Sequence, residues 1–354
     1  MGSRKRFAVM VCVLAITVVG TSWCLGLEAS PAGLPPAAPG SLMETGLYEA
    51  GRPGVVDPRN QPFLPQYPLW TDGETKRRWI YLPPDSTIDV SDVDEWDFPV
   101  GTKVWKEFAI GGRKIETRML WKTGPQTWAF ASYAWNADGT EAVKAPADGV
   151  PRAAELSPGR FHHIPSLDQC RACHVAKRTE ILGFNALQLS TDRDPNAIHG
   201  EPLMSGMVTL ATLDHAGLLQ PRRPELVSNP PRIAARSPEE RAVLGYLAGN
   251  CGPCHNRASD LAPLGLHWKH AELTADGTGT LQAMLHHPTK WQVPGVPEGE
   301  SLLLDIDRPE QSALLQRMKS RWPASQMPPL GTAVRDQQAV DAIGRWLAGQ
   351  RDSR

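Results

Sequence analysis

Four of the six cysteines stand in two copies of one short pattern. The copies are Cys170, Cys173 and His174 in the run CRACH, and Cys251, Cys254 and His255 in the run CGPCH. This CxxCH pattern is typical of covalent haem c attachment. Two thiols three positions apart can add to the two vinyl groups of one porphyrin, and the adjacent imidazole is then placed to ligate the iron. The sequence therefore predicts two covalent haem c groups, with His174 and His255 as iron ligands.

Other uses of paired thiols explain the pattern less well. Four cysteines could form a zinc site, but the separation of Cys173 from Cys251 is far longer than in compact zinc ribbons. Disulfides or a thioredoxin-like motif would account for the cysteines alone. Neither explains why a histidine follows both pairs, so the haem interpretation is favoured.

The amino-terminal residues indicate export. A basic cluster at residues 4–6 precedes a nearly unbroken apolar run at residues 7–27, which holds the other two cysteines, Cys12 and Cys24. This is the form of a secretory signal, and it is also just long enough for an uncleaved membrane anchor. Residues 1–29 are predicted to be one or the other, and residues 30–41 a Pro/Ala-rich linker. A periplasmic protein is expected, with membrane attachment through residues 7–27 as the alternative.

Length, charge and composition set further bounds. The chain has 354 residues, enough for about two domains, and 37 basic against 38 acidic residues give a net charge of −1. Without a basic excess, nucleic acid is not expected as a partner. The 33 prolines and 31 glycines predict many turns.

Two helices are predicted to frame the second motif within residues 236–350. Ser237 is placed to cap a helix with Pro238 at its first position and Glu240 completing a capping box, and this helix runs into Cys251. Apolar residues at helical spacing predict a closing helix over residues 336–348. Between them, the run QMPPLG at 326–331 is a rigid loop with one methionine, Met327.

This order of elements resembles the class I c-type cytochrome domain. The resemblance implies that Met327 is the second axial ligand of the His255 haem, whereas methionine more commonly fills cores. It implies that the first and last helices cross where Gly245-Tyr246 meets Trp346. It also implies that the carbonyl of Pro263 accepts the free N–H of His255.

The second axial ligand of the first haem is left open, because residues 166–235 contain no comparable loop. The candidates are Met207, Met204, His199, His215, His162 and His163. Ligation from the amino-terminal domain and a five-coordinate iron are also open.

Residues 42–165 are predicted to form a mostly antiparallel β domain. Strands are expected at residues 76–82, 103–110, 113–120, 127–135 and 140–143, with a tight hairpin at Gly111-Gly112. Seven of the 12 tryptophans lie between Trp70 and Trp135. They could form a carbohydrate or partner surface, but a role in filling the β core is favoured. No catalytic residue is predicted.

The run LGFNALQLS after the first motif and FPVGTKVWKEF at 98–108 together resemble a family of bacterial dihaem c-type cytochromes, over nearly the whole exported chain. The expected fold class is α+β and multidomain: a β-rich domain at 42–165, a first haem segment at 166–235, and a mostly α-helical, cytochrome c-like domain at 236–350. The expected function is single-electron transfer between an exported dehydrogenase or other donor and a downstream acceptor. The alternative is an enzyme, a dihaem peroxidase or oxidase with an open first haem.

Overall fold

A six-stranded antiparallel sheet is the largest element of the protein. The structure, a computed structural model, describes residues 37–174, 179–275, 281, 284–285 and 287–351. The strands of the whole protein are β1 (Gln61–Pro62), β2 (Thr75–Tyr81), β3 (Ile88–Asp89), β4 (Lys103–Ile110), β5 (Arg113–Gly124), β6 (Thr127–Trp135), β7 (Ala142–Lys144), β8 (Val150–Ser157), β9 (Arg160–Ile164) and β10 (Leu219–Gln220). The large sheet has the order β1-β2-β4-β5-β6-β7, while β8 pairs with β9 and β10 pairs with β3.

The five predicted strands form as β2, β4, β5, β6 and β7, because β-branched and aromatic residues alternate between two covered faces. The other five strands were not predicted. One face buries Trp79, Trp105 and Met119 against the amino-terminal residues of the sheet domain. Gly111 and Gly112 join β4 to β5 with φ of 56° and 81°, backbone that glycine adopts without strain. The predicted tight hairpin is confirmed.

The tryptophans largely serve the core, as favoured from the sequence. Trp79, Trp96 and Trp105 are buried, and the other four of the Trp70–Trp135 set are partly buried. An indole that packs inward cannot offer its flat face to a glycan or a partner. The strongly exposed tryptophan of the described residues is Trp322, far from this set in the sequence.

The opposite face of the sheet is covered by the chain that follows the first CxxCH motif. Ile80 and Val104 share one buried cluster with Phe184, Leu189 and Val208. In addition, β10 pairs in parallel with β3, so residues 219–220 extend the β region. The first motif is thereby fixed against the sheet and not to a separate helical bundle.

The helices are short except for two. They are α1 (Leu167–His174), α2 (Leu210–His215), α3 (Glu225–Ser228), α4 (Pro238–Asn250), α5 (His270–Ala275), α6 (Ala313–Lys319) and α7 (Gln337–Arg351), with 3₁₀ turns at Leu42–Glu44, Ala262–Leu264 and Pro309–Gln311. Ser237 caps α4 as predicted, accepting the Glu240 N–H at 3.1 Å. The Glu240 carboxylate accepts the N–H of Arg236 at 3.0 Å and does not close a capping box on Ser237. The predicted closing helix is α7, with Val340, Ile343, Trp346 and Leu347 buried.

A tyrosine from the β region packs into α4. A Cβ added at Gly245 would lie 2.0 Å from Cε1 of Tyr67, and one at Gly249 would lie 2.5 Å from the Tyr67 carbonyl oxygen. Tyr67 is only 1% exposed. The cytochrome resemblance assigned Gly245 to a helix crossing with Trp346. In the structure, the Tyr67 ring packs against Gly245.

The predicted fold class, α+β with a mostly α-helical cytochrome c-like part, is wrong. The protein is β-rich, with a large antiparallel sheet and only about 23% helix. Between residue 287 and the start of α6, the described residues form no α-helix. This stretch contains prolines such as Pro288, Pro294 and Pro297, which lack the N–H that a helix needs. The two helices predicted in this region are present, but irregular chain occupies much of the rest.

The predicted export segment, residues 1–29, lies outside the described residues. Within the described ranges, no helix is long and apolar enough to cross a membrane. The predicted boundaries near residues 41, 165 and 235 stay predictions.

Candidate functional site

The first CxxCH motif lies on α1, which packs against β6. Ser166 starts the helix: its hydroxyl accepts the Gln169 N–H at 3.2 Å, and the Gln169 side chain accepts the Ser166 N–H at 3.0 Å. Residues three and four apart on a helix share one side. Cys170, Cys173 and His174 therefore project from one side of α1.

The imidazole of His174 is fixed by the backbone. Its Nδ1 lies 2.5 Å from the carbonyl oxygen of Glu180, and its ring centroid is 5.8 Å from that of Phe130 on β6. If Nδ1–H donates to this carbonyl, Nε2 carries the lone pair that a metal requires. A carbonyl partner of this kind orients metal-ligating histidines and raises their basicity.

The second motif follows the end of α4. The N–H of Cys251 donates to Leu247 at 2.8 Å, and the carbonyl of Cys251 accepts from Cys254 at 3.1 Å and from His255 at 2.8 Å. Gly252 allows a close approach, because a Cβ there would lie 2.5 Å from the Ala248 oxygen and 2.9 Å from the Trp268 oxygen. The motif is one compact turn in which glycine is required.

His255 is a partly buried imidazole whose lowered pKa favours the neutral form. Burial, together with the nearby Arg317 and His267, lowers the pKa of His255. Its Nδ1 is buried and has no hydrogen-bond partner among the described residues. The hydrogen bond to Pro263 implied by the cytochrome resemblance is therefore not made. A neutral imidazole is the form that ligates metals.

Met327 and His255 share Arg317 as a neighbour. The Met327 N–H donates to the Arg317 carbonyl at 2.9 Å, and the Arg317 Nε donates to the Ser325 carbonyl at 3.1 Å. The charge of the same guanidinium acts on His255. Arg317 of α6 thus anchors the loop that carries Met327, and its charge reaches the histidine of the second motif.

All four motif cysteines are thiols, not halves of disulfides, and each is partly buried. Burial raises the pKa of Cys170, although Arg118 opposes the rise. Burial and the neighbouring Cys254 raise the pKa of Cys251 to about 12. With thiols at both motifs, a His174 oriented by the backbone and a partly buried His255 whose lowered pKa favours the neutral form, the residues present fit covalent haem.

Two candidates for the second axial ligand of the first haem are engaged elsewhere. Both ring nitrogens of His162 face carboxylates, Nδ1 at 2.5 Å from Glu74 and Nε2 at 3.0 Å from Glu116. Nε2 of His199 lies 2.9 Å from Asp336.

The other four candidates lie as follows. Met204 is strongly exposed, and His215, the last residue of α2, is also exposed. His163 is exposed and accepts the Arg152 N–H at 3.3 Å, while Met207 is partly buried.

Residues around the two motifs line one cleft. Thr179, Ile181 and Leu182 follow the first motif, and Gly252 and Pro253 belong to the second. The neighbourhoods of the two motifs therefore meet across this cleft.

A buried charge network beside Cys170 was not predicted. Arg118 binds Glu116 through two bonds of 2.7 and 2.9 Å, Glu116 binds His162, and His162 faces Glu74. The charges of Arg118 and Glu116 both act on Cys170. The available signal was the alternation of charged residues in β2, β4 and β5, which places them on one face.

Two residues of this network, Glu74 and His162, and the neighbouring Asp72 could together hold a metal ion by their geometry. Ligand atoms of Asp72, Glu74 and His162 lie within 4.8 Å of one another. Lys76 and Lys106, whose charges act on this group, oppose the binding of a further cation. We therefore assign no metal to it.

No family model, curated protein or solved structure matches this chain. The resemblance to dihaem c-type cytochromes thus depends on the motifs and stretches of the sequence itself.

Proposed function

We propose that this protein is an exported dihaem c-type electron-transfer protein of the bacterial dihaem family that its sequence resembles. One haem would be held by Cys170, Cys173 and His174. The other would be held by Cys251, Cys254 and His255, with Met327 at the second axial position. The two complete CxxCH motifs carry the proposal. It does not depend on the cytochrome c-like fold that the structure contradicts.

Each haem, when bound, supplies a one-electron redox centre. The residues of the chain orient and tune it: the Glu180 carbonyl fixes the His174 ring, and burial keeps His255 neutral. A thioether ligand raises the reduction potential above that of a second histidine, so Met327 favours the reduced state. The shared cleft supports exchange between the centres. The expected partners are an exported dehydrogenase or other donor and a downstream acceptor, in the periplasm.

Haem stoichiometry tests the proposal. The full chain is expressed with a c-type maturation system, and haem per chain is measured by the pyridine haemochrome spectrum and intact mass. We expect two haems for the unaltered protein, one each for Cys170→Ala/Cys173→Ala and Cys251→Ala/Cys254→Ala, and none for the quadruple variant. Each double variant is the control for the other. A chain that gains no covalent haem under these conditions would refute the proposal.

A second function, that of a dihaem peroxidase or oxidase, is favoured by one observation. His162 and His199 already bind carboxylates, which leaves fewer residues to close the second axial position at His174. Carbon monoxide needs an open or easily vacated iron position. We expect no change in the dithionite-reduced spectrum on adding it, as for two six-coordinate haems. A change at one haem per chain would favour the enzyme.

A further inference from the structure

Three basic side chains face one another across the central strands of the sheet. Arg78 on β2 lies directly opposite Lys106 on β4, and Lys106 lies directly opposite Arg118 on β5. We call Arg78, Lys106 and Arg118 the basic row. Like charges in directly opposed positions destabilise a sheet, so the row requires a compensating anion.

The carboxylates of the described residues compensate this row only in part: Glu116 pairs with Arg118, while Glu201 acts on Arg78 and Glu74 on Lys106 through their charges alone. Arg78 is 6% exposed, and its Nη1 is buried without a hydrogen-bond partner. Within the described part of the chain, neither Arg78 nor Lys106 forms an ion pair. Burial and the charges of Arg78, Lys76 and Arg118 lower the pKa of Lys106 well below its usual value, although the charge of Glu74 opposes this. Buried donors without acceptors are costly and rare in folded proteins.

Three carboxylates near the row also hold other groups. Glu116 binds Arg118 and His162, and Glu74 faces His162. Asp72 accepts the N–H groups of Ala333 and Val334, each at 2.8 Å. Beyond Arg118 the row continues to Ser132 on β6, whose hydroxyl is also buried without a partner.

The basic row lies beside the first motif. Phe130, two positions before Ser132 on β6 and therefore on the same face, contacts the His174 ring. The charge of Arg118 acts on Cys170. A group attached to Cys170 and ligated by His174 would thus have these donors next to it.

We propose that the basic row binds the propionate carboxylates of the haem attached at Cys170 and Cys173. This inference rests on the proposed function and names the residues that would hold the acidic edge of that cofactor. Haem carries two carboxylates, each of which accepts several charge-assisted hydrogen bonds, and arginine pairs with a carboxylate through two parallel bonds. The buried Nη1 of Arg78 would then gain an acceptor, and Lys106, whose ammonium lies 4.9 Å from the centroid of the Phe108 ring, would gain a counter-charge.

The test removes one charge from the row and compares the effect with that of removing a charge on the other face of the same strand. Lys106→Met is the test variant and Lys106→Arg the charge-conserving one. Lys103→Met is the matched control, because Lys103 is also on β4 but donates to the Thr45 carbonyl at 2.8 Å on the opposite face. Arg78→Gln is an independent test of the same row.

Two readouts are measured on full-length protein. In the two-haem protein, Lys106→Met and Arg78→Gln should each lower the midpoint potential of one haem, since a lost positive charge favours ferric iron, while Lys103→Met and Lys106→Arg leave both potentials nearly unchanged. The change in melting temperature caused by Lys106→Met should reverse its sign when the first haem is absent. Lys106→Met should lower the melting temperature of the two-haem protein and raise that of Cys170→Ala/Cys173→Ala, where the propionates no longer offset the repulsion within the row.

The outcomes separate this inference from the proposed function. Two haems per chain with potentials and melting temperatures insensitive to Lys106 and Arg78 would overturn the inference alone. Absence of haem at Cys170 and Cys173 would overturn both. A third arm adds inorganic phosphate to the Cys170→Ala/Cys173→Ala protein. Phosphate could stabilise the two-haem protein as strongly as it stabilises Cys170→Ala/Cys173→Ala, and in both cases only with Lys106 intact. That result would show that the row binds a free anion and not the propionates.

Discussion

Under the proposed function, Met327 is the residue that sets the properties of the haem at the second motif. Its loop is anchored to α6 through Arg317, whose charge also acts on the partly buried His255. A thioether is a weak, neutral ligand that stabilises ferrous iron. Replacing it should change the redox chemistry more than the fold.

We predict that Met327→Ala lowers one of two midpoint potentials and abolishes the weak sulfur-to-ferric-iron absorption band at the red edge of the spectrum. Redox titration and the oxidised spectrum measure the two effects. Met43→Ala, a partly buried methionine of the sheet domain, is the control and should leave both unchanged. Survival of the band and of both potentials in Met327→Ala would show that another residue ligates this iron.

A second residue-scale prediction concerns His162. Burial opposes its protonation, but hydrogen bonds and charges from Glu116 and Glu74 raise the pKa of His162 to about 9. Because the folded pKa lies above the unfolded value of 6.5, the stabilisation is complete below pH of about 6.5 and is lost as pH rises through about 9. The contribution is on the order of 3 kcal/mol.

Denaturant unfolding at pH 6 and pH 9.5 measures this contribution. The free energy of unfolding should fall between the two pH values by more in the unaltered protein than in His162→Gln. Comparing the two proteins is necessary because burial lowers the pKa of Lys76 to about 8, which gives an opposite slope above that pH. Equal pH dependence in both proteins would mean that His162 is not held protonated by the two glutamates.

At the scale of elements, α4 connects the β region to the second motif. It buries the Tyr67 ring against Gly245, and Tyr67 is itself held by Gln188 at 2.9 Å and Asp194 at 3.2 Å. Asn250 at the end of α4 accepts the Trp70 N–H at 2.8 Å. The turn that carries Cys251 thus follows a helix whose position is set by residues 67–70.

Two glycine substitutions on helices test this packing. Gly245→Ala should destabilise the protein by about 1–3 kcal/mol, because the new methyl group would meet the buried Tyr67 ring. Gly344→Ala on α7 is the control, since its nearest neighbour would be Leu315 Cδ1 at 3.9 Å. Alanine there should be neutral or stabilise by up to about 1 kcal/mol. Thermal or denaturant unfolding compares them, and equal effects would contradict the packing of Tyr67 on α4.

Local patterns predicted the elements better than their assembly. Alternation placed β2, β4 and β6 within one or two residues, and Ser237-Pro238 located the start of α4, because these signals depend on a few neighbouring residues. The insertion of Tyr67 at Gly245 joins positions far apart in the sequence and has no local signal. The same holds for His162, which from the sequence alone was one of several candidate ligands and is in fact bound by two glutamates.

At the scale of the whole molecule, residues 236–351 depend on the β region. Tyr67 fills a surface of α4, Trp70 binds Asn250, and Asp72 binds the backbone of Ala333 and Val334. A self-contained carrier domain would not need such contacts. The basic row and the first motif likewise depend on strands that begin at residue 75.

We therefore predict that a fragment of residues 236–354, expressed with haem maturation, is much less stable than the full chain. Its melting temperature should be lower and its proteolysis by trypsin faster. Co-expression with residues 37–235 is the control, and it should restore the melting temperature and the protease resistance of the full chain. A fragment as resistant as the full protein would show that the contacts of Tyr67, Trp70 and Asp72 add little.

The bonds from Asp72 to Ala333 and Val334 also bear on the order of folding. They join residues 261 and 262 positions apart, and contacts between distant positions form late because a long loop must first be closed. During synthesis, the carboxylate of Asp72 has no such partner until almost all of the residues up to Val334 have emerged. These bonds therefore form only after both CxxCH motifs have been synthesised.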